Sequence, residues 1–103
     1  MEDSLFGRRL KQARKRVGIT QRGLGVKMSL PPNKASVYVN RWELGTRSPR
    51  YDDIQKMAKV LGVSPAFFFL GPEEDALAEI ILLLGSASGE KLDEILDSLK
   101  KSI

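Results

Sequence analysis

Residues 18–64 decide the fold of this chain, and they read GITQRGLGVKMSLPPNKASVYVNRWELGTRSPRYDDIQKMAKVLGVS. This stretch contains two stripes of apolar side chains with helical spacing. The first predicts a helix that ends before Gly45, and its members are Ala35, Tyr38, Val39 and Trp42. The second predicts a helix from about Tyr51 to Leu61, and its members are Ile54, Met57, Ala58 and Leu61. A turn with Pro49 joins the two.

Two further helices precede these. Apolar spacing predicts a basic helix over residues 5–17, which Ser4 caps at its start. Thr20 is a good N-cap for a second helix. Gly23 and Gly25 destabilise that helix by about 1 kcal/mol each relative to alanine, so another interaction must compensate.

A short fifth helix is predicted after Ser64 and Pro65, and it carries the three aromatic residues Phe67, Phe68 and Phe69. Because these rings lie about 100° apart around a helix, they cannot all face one core. We expect at least one of them to contact the C-terminal segment or a second subunit.

The composition changes at residue 72. The acidic residues 73–75 begin a predicted helix that runs to about Leu84. A last amphipathic helix follows a turn at residues 85–89. The sequence therefore predicts an all-α chain. It has a five-helix domain over residues 1–71 and a C-terminal helical hairpin over residues 72–103.

The composition also limits the chemistry. The 103 residues include no Cys and no His, which excludes disulfides, thiolate or imidazole metal sites and catalysis by those side chains. We expect no catalytic residue, no metal and no cofactor. The longest apolar run, residues 80–84, is far shorter than the ~20 residues that span a bilayer, and Met1 to Ser4 do not resemble a signal peptide. A cytoplasmic protein without membrane contact is expected.

Charge is unevenly distributed along the chain. Residues 1–71 carry fourteen Lys and Arg against five Asp and Glu, whereas residues 72–103 carry three against eight. The basic part is a plausible footprint for a polyanion such as nucleic acid, which would repel the acidic segment. The alternative interpretation is a solvated basic face, so motifs must decide between the two.

The order of short motifs along residues 5–71 resembles the helix-turn-helix family of lambdoid phage repressors and Cro proteins, the Xre-like regulators. The motifs are G-I-T-Q at residues 18–21, R-W-E-L-G at residues 41–45, Pro49 after it, and A-K-V-L-G-V-S at residues 58–64. The resemblance implies a repressor-like helix-turn-helix domain that binds double-stranded DNA. It also implies that the third helix enters the major groove.

The outward side of that third helix has suitable residues for contacting bases. Asn can recognise adenine, Arg can recognise guanine, and Val can contact a thymine methyl group. The predicted base-contacting residues are Asn33, Lys34, Ser36, Val37, Asn40 and Arg41. The alternative is a helix face that is merely solvated.

Further roles come from the resemblance. Gln21 matches a position at which the second helix contacts a phosphate, and Arg50 follows the motif proline, as a phosphate-contacting Arg often does in this family. Arg22 and Arg47 are further candidates for phosphate binding, with solubility as the alternative role of each Arg. Arg14 and Glu43 match two positions that form a largely buried salt bridge.

The turn before the third helix departs from the family pattern, because it is longer than in compact members. The additional residues fall in residues 30–34, and Ala35 stands where a capping Ser or Thr is usual. We therefore expect Asn33 to cap a lengthened third helix.

The C-terminal hairpin has two interpretations. It either covers the core of the first domain or mediates formation of a homodimer, which a twofold-symmetric DNA site would favour. The predicted interface residues are Phe67, Phe69, Leu92, Leu96 and Leu99.

Three functions are compared. The first is a sequence-specific DNA-binding transcriptional regulator, a repressor that occupies an operator as a homodimer. The second is a protein-interaction module, such as an antitoxin or an anti-repressor-binding partner, with DNA binding secondary. The third is an enzyme, which the lack of His, Cys and a Gly-rich phosphate loop disfavours.

Overall fold

The computed structural model describes residues 4–84. Within this range every regular element is helical, which confirms the all-α prediction. The α-helices are α1 (Leu5–Val17), α2 (Gln21–Lys27), α3 (Ala35–Leu44), α4 (Tyr51–Leu61) and α5 (Asp75–Leu84). Two 3₁₀ turns, Pro65–Phe69 and Pro72–Glu74, lie between α4 and α5. The second helix of the predicted hairpin lies outside the described residues.

Short polar residues and glycines fix the helix ends where the sequence predicts them. The Ser4 hydroxyl accepts a hydrogen bond from the Gly7 N–H at 2.8 Å, and the Thr20 hydroxyl accepts one from the Gly23 N–H at 2.9 Å. Gly45 ends α3 with a φ of 79°, a left-handed conformation that favours glycine. These caps fix the starts of α1 and α2 and the end of α3.

One hydrophobic core connects all five helices. Its buried side chains are Leu10, Ala13, Leu24, Met28, Val39, Trp42, Met57, Ala58, Leu61, Phe67, Phe68, Ala78 and Leu82. Because Ala78 and Leu82 belong to α5, this helix packs on the same core as the N-terminal helices. The separate unit over residues 72–103 stays a prediction, since residues 85–103 lie outside the described part of the chain.

The start of α3 differs from the prediction. The helix begins at Ala35 with Lys34 before it, and no side chain caps this end, so the prediction of Asn33 as N-cap is wrong. The Lys34 N–H donates to the Pro31 carbonyl at 2.9 Å. This bond closes a turn that contains Asn33, which leaves that residue one position too early to cap α3.

The segment after α4 also differs. Pro65–Phe69 forms a 3₁₀ turn of five residues rather than a fifth α-helix, and Ser64 caps it. The tight turn directs Phe67 into the core with 1% of its surface exposed, whereas Phe69 remains 60% exposed. The prediction that Phe67 contributes to a dimer interface is therefore wrong, because its side chain is enclosed by its own protomer.

At Gly25, α2 and α3 approach each other closely. A methyl group at this position would lie 2.6 Å from the Ala35 Cβ and 2.9 Å from the Ala35 carbonyl oxygen. Ala35 itself is fully buried. The missing side chain thus allows α3 to pack on α2, which compensates for the low helix propensity of Gly25.

We expect Gly25→Ala to lower the free energy of unfolding by about 1–3 kcal/mol, since overpacking outweighs the gain of about 1 kcal/mol in helix propensity. Gly23→Ala is the matched control, because the added methyl group meets only the side chains of Ile19 and Thr20, at 3.0 Å. Thermal melting should place the Gly25 variant several degrees below the Gly23 variant. Equal melting temperatures, or the reverse order, would contradict this account of the α2–α3 contact.

Candidate nucleic-acid interface

α3 presents a mixed polar and apolar face opposite its buried stripe. Val39 and Trp42 anchor the helix with 0% and 3% of their surfaces exposed. The opposite side carries four of the predicted base-contacting residues, and all are exposed or half-exposed: Ser36, Val37, Asn40 and Arg41. Leu44, which is 48% exposed, extends this face by one turn and was not among the predicted residues. Leu44 follows Asn40 by four residues and Arg41 by three, and this helical spacing could have identified it as part of the same face.

The other two predicted base-contacting residues, Asn33 and Lys34, lie in the turn before α3, and both are exposed. The turn is held by two backbone hydrogen bonds, from Leu30 to Gly25 at 2.9 Å and from Lys34 to Pro31 at 2.9 Å. The turn thus keeps both residues at the N-terminal end of α3, beside its exposed face.

A hydrogen-bonded network joins α1, α2 and α3 beneath this face. Arg14 Nε donates to Glu43 Oε2 at 2.6 Å, and its Nη2 donates to Oε1 at 3.2 Å. The two side chains are 12% and 5% exposed, so this is the largely buried pair that the resemblance implies. Arg14 Nη1 also donates to the Ile19 carbonyl at 3.0 Å. The charged groups of both side chains are therefore extensively hydrogen-bonded, as buried charges require.

Gln21 extends the network to the exposed face. Its Nε2 group donates to Glu43 Oε1 at 3.1 Å and to Asn40 Oδ1 at 3.2 Å. A primary amide has two N–H bonds, so both are used within the protein. Donation from this amide to a DNA phosphate would require one of these bonds to break.

Arginines flank the exposed face of α3. The Arg47 guanidinium lies 5.0 Å from the centroid of the Tyr38 ring, which is within the range of cation–π attraction. Tyr38 in turn stacks on Trp42 with ring centroids 6.4 Å apart. Arg47 is thus held beside α3 by an aromatic pair that is anchored in the core.

The two other arginines predicted to bind phosphate, Arg22 of α2 and Arg50 at the start of α4, are both exposed. The Arg50 N–H donates to Asp53 Oδ2 at 2.9 Å, which fixes the backbone at this position. Arg47 and Arg50 line one hollow of about 250 Å³ together with Tyr38. The structure therefore brings these two cations together on one side of α3.

Two basic residues of α1, Arg8 and Lys11, were not predicted from the sequence as part of the site. Arg8 and Lys11 of α1 line a cleft of about 450 Å³ together with Gln21 and Asn40. The sequence alone indicates that Lys11 is solvated and contributes only a long-range electrostatic attraction to a polyanion. The spacing of residues 8, 11 and 14 places them along one side of α1, and this signal could have identified the basic side of the cleft.

Arg9 has a structural role that sequence reasoning also missed. It is 3% exposed, and its guanidinium donates to the carbonyls of Leu70 and Gly71 at 3.1 and 2.6 Å. It also forms an ion pair with Asp75 at 2.8 Å, so α1 holds the start of α5. Its position one turn after Leu5 and one turn before Ala13, two apolar residues of α1, could have indicated that this Arg is buried.

The predicted dimer interface is only partly within the described residues. Phe69 is 60% exposed and packs edge-on against Phe6 at a centroid distance of 5.7 Å. On α5, Leu77 and Ile80 are 44% and 41% exposed. Leu92, Leu96 and Leu99 lie outside the described residues.

Within residues 4–84, no helix combines the length and the apolar character needed to cross a membrane.

Comparisons with known proteins agree with the fold. A family model described as HTH_3, helix-turn-helix, matches residues 10–68. Among solved structures, the crystal structure of the transcriptional regulator BswR has a TM-score of 0.77 and 33% sequence identity, with 92% of each chain covered. The comparison with curated proteins finds no significant match to the chain. The matched residues run from Leu10 within α1 to Phe68 within the first 3₁₀ turn and include the whole exposed face of α3.

Proposed function

The chain belongs to the Xre/Cro/C1-like helix-turn-helix family of DNA-binding transcription regulators, and we propose that it is a repressor that occupies its operator as a homodimer. The observation that carries this proposal is the exposed face of α3. It is held by Val39 and Trp42, and it carries Asn40 and Arg41 outward. A helix fixed on one side and exposed on the other has the geometry that entering a major groove requires.

Base contacts are assigned to the exposed face of α3 and to the turn before it. These residues are Asn33, Lys34, Ser36, Val37, Asn40 and Arg41. Arg41 can donate two hydrogen bonds to guanine, and Val37 can pack against a thymine methyl group. Leu44 adds apolar surface beside them.

Phosphate contacts are assigned to three exposed arginines, which are Arg47 and Arg50 beside Tyr38 of α3, and Arg22 on α2. Cations beside a recognition helix fix its orientation on the DNA without selecting a sequence. Gln21 is left out of this set because both N–H bonds of its amide already have protein acceptors.

Homodimer formation is supported by exposed apolar side chains at the C-terminal end of the described chain, which are Phe69, Leu77 and Ile80. A twofold-symmetric dimer would place two copies of α3 about 34 Å apart, one turn of DNA, on two half-sites. Occupying such an operator in the cytoplasm would block access of RNA polymerase.

The test combines selection of bound DNA from a random pool with a mass measurement in solution. We expect a twofold-symmetric consensus and a mass of two chains. A reporter gene whose promoter overlaps the selected site should be transcribed less when the protein is present. Failure to enrich any sequence would contradict the proposal, and increased transcription would contradict the repressor role.

The same apolar side chains favour a second function, a protein-interaction module such as an antitoxin or an anti-repressor-binding partner. Such a protein would shift the mobility of DNA only when its partner is present. A shift with the purified chain alone would contradict this second function.

A further inference from the structure

We propose that Tyr38 is a positioning residue for DNA binding, because its ring holds the Arg47 guanidinium ready to contact a phosphate beside the exposed face of α3. This inference rests on the proposed DNA-binding function. The ligand is a phosphodiester group of the DNA backbone, and Tyr38 acts on it only through Arg47.

The Tyr38 ring is a rigid support. It is half-buried and stacks on the Trp42 ring, with centroids 6.4 Å apart and an angle of 20° between the planes. Trp42 is 3% exposed, so the pair is anchored in the core. Aromatic side chains of this kind have few rotatable bonds. The position of the Tyr38 ring is therefore fixed relative to the rest of α3.

Tyr38 borders the exposed face of α3 at one edge. It precedes Arg41 by three residues, which makes the two side chains neighbours on the helix. The DNA backbone runs along both sides of a major groove. A cation held beside this edge of a helix in the groove is therefore placed near a phosphate, where contacts fix the orientation of the protein.

Arg47 keeps its capacity to form hydrogen bonds. Its guanidinium lies 5.0 Å from the centroid of the Tyr38 ring, and attraction to the face of a ring occupies none of its N–H donors. Among residues 4–84, Arg47 has no hydrogen-bond acceptor and no ion-pair partner. Its donors are left for an external anion, and the guanidinium group suits phosphate because it can donate two parallel hydrogen bonds.

The lengthened turn before α3 contributes to the same site. It forms part of the lining of the hollow of about 250 Å³, whose residues are Leu30, Pro31, Tyr38, Arg47, Arg50 and Asp53. The Asp53 carboxylate already accepts a hydrogen bond from the Arg50 backbone N–H at 2.9 Å. Two guanidinium groups against one carboxylate leave the hollow with a net positive charge, which favours an anion.

A held arginine binds better than a mobile one. An exposed Arg side chain loses rotamer freedom when it contacts a ligand, and this loss weakens affinity by about two- to tenfold for each side chain that is immobilised. The contact with Tyr38 restricts Arg47 before the DNA arrives. Removing the ring should therefore weaken DNA binding, although Tyr38 makes no contact with the DNA itself.

The experiment is a double-mutant cycle on the affinity for the DNA that the parent chain selects, measured by fluorescence anisotropy. Tyr38→Leu removes the aromatic face and keeps an apolar side chain, and Tyr38→Met is a second variant of this kind. Tyr38→Phe keeps the ring and removes only the hydroxyl group. Tyr38→Leu is also combined with Arg47→Ala and, as the matched control, with Arg22→Ala, since Arg22 is an exposed arginine on α2.

Tyr38→Leu and Tyr38→Met should each weaken binding by about two- to tenfold for each subunit bound. Tyr38→Phe should stay within about twofold of the parent chain, because Phe and Tyr rings both attract cations. Tyr38→Leu should have no further effect in the Arg47→Ala background and its full effect in the Arg22→Ala background. The selected consensus should be unchanged, because a phosphate contact carries no sequence information. Thermal melting checks that each variant folds.

Equal weakening by Tyr38→Leu with and without Arg47 would overturn this inference and leave Tyr38 with a structural role alone. Unchanged affinity in Tyr38→Leu and Tyr38→Met would also overturn it. So would a loss in Tyr38→Phe as large as that in Tyr38→Leu, which would assign the effect to the hydroxyl group. In all three cases the parent chain still binds DNA, and the proposed function stands. If the parent chain selects no DNA, the proposed function and this inference fail together.

Discussion

Replacing Glu43 by alanine is expected to lower the free energy of unfolding by about 3–5 kcal/mol. The substitution leaves the Arg14 guanidinium, 12% exposed as a side chain, without the carboxylate that accepts two of its hydrogen bonds. It also removes an acceptor of Gln21. The loss measures the cost of an unpaired buried charge rather than the net contribution of the pair. Chemical denaturation monitored by circular dichroism gives the value.

Two controls separate the buried charge from other effects. Glu73→Ala removes an exposed carboxylate from the second 3₁₀ turn and should change stability by less than about 0.5 kcal/mol. The double variant Arg14→Met/Glu43→Met replaces the pair by apolar side chains and should recover most of the loss. A Glu43→Ala variant as stable as Glu73→Ala would show that this pair does not hold α1 against α3.

The second large effect concerns salt. A dimer that neutralises roughly 6–10 phosphates should lose about 10³–10⁵ in DNA affinity between ~50 and ~200 mM salt, because each neutralised phosphate releases condensed counterions. Fluorescence anisotropy over a salt series measures the slope. We expect Arg50→Ala to reduce the slope by about one for each phosphate that the variant no longer neutralises.

Lys59→Ala is the control for this series, because Lys59 is exposed near the C-terminal end of α4, at the other end of that helix from Arg50. Its slope should equal that of the parent chain. An affinity that hardly changes with salt would contradict the electrostatic part of the account, whatever the variants show.

Local patterns in the sequence were sufficient for much of the fold. The apolar stripe of α3 predicted the burial of Val39 and Trp42, and Ser4 and Thr20 cap the helices they were expected to cap. These features depend on residues three or four positions apart, where spacing alone fixes geometry. The exposed face of α3 follows from the same stripe, which is why the candidate site could be outlined without coordinates.

Features that depend on contacts between distant segments were not predictable in this way. Asn33 is a good capping residue by type, yet the turn closed by the Pro31 carbonyl places it one residue too early. By residue type, Arg9 would be expected on the basic surface. It is instead buried, and its guanidinium donates to backbone carbonyls about sixty residues away in the sequence. The pairing of Gln21 with Asn40 likewise needs the packing of α2 against α3, which no single helix reveals.

In the proposed complex, the exposed face of α3 lies against base edges while the arginines beside it contact phosphates. The most direct measurement compares the DNA consensus and affinity of Arg41→Ala with those of Arg50→Ala. Arg41→Ala should lose base preference at one position in each half-site, at a cost of about 1–3 kcal/mol, whereas Arg50→Ala should weaken binding to all sequences alike. An Arg41→Ala variant that selects the parent consensus with undiminished preference, or an Arg50→Ala variant that selects a different operator, would contradict the account.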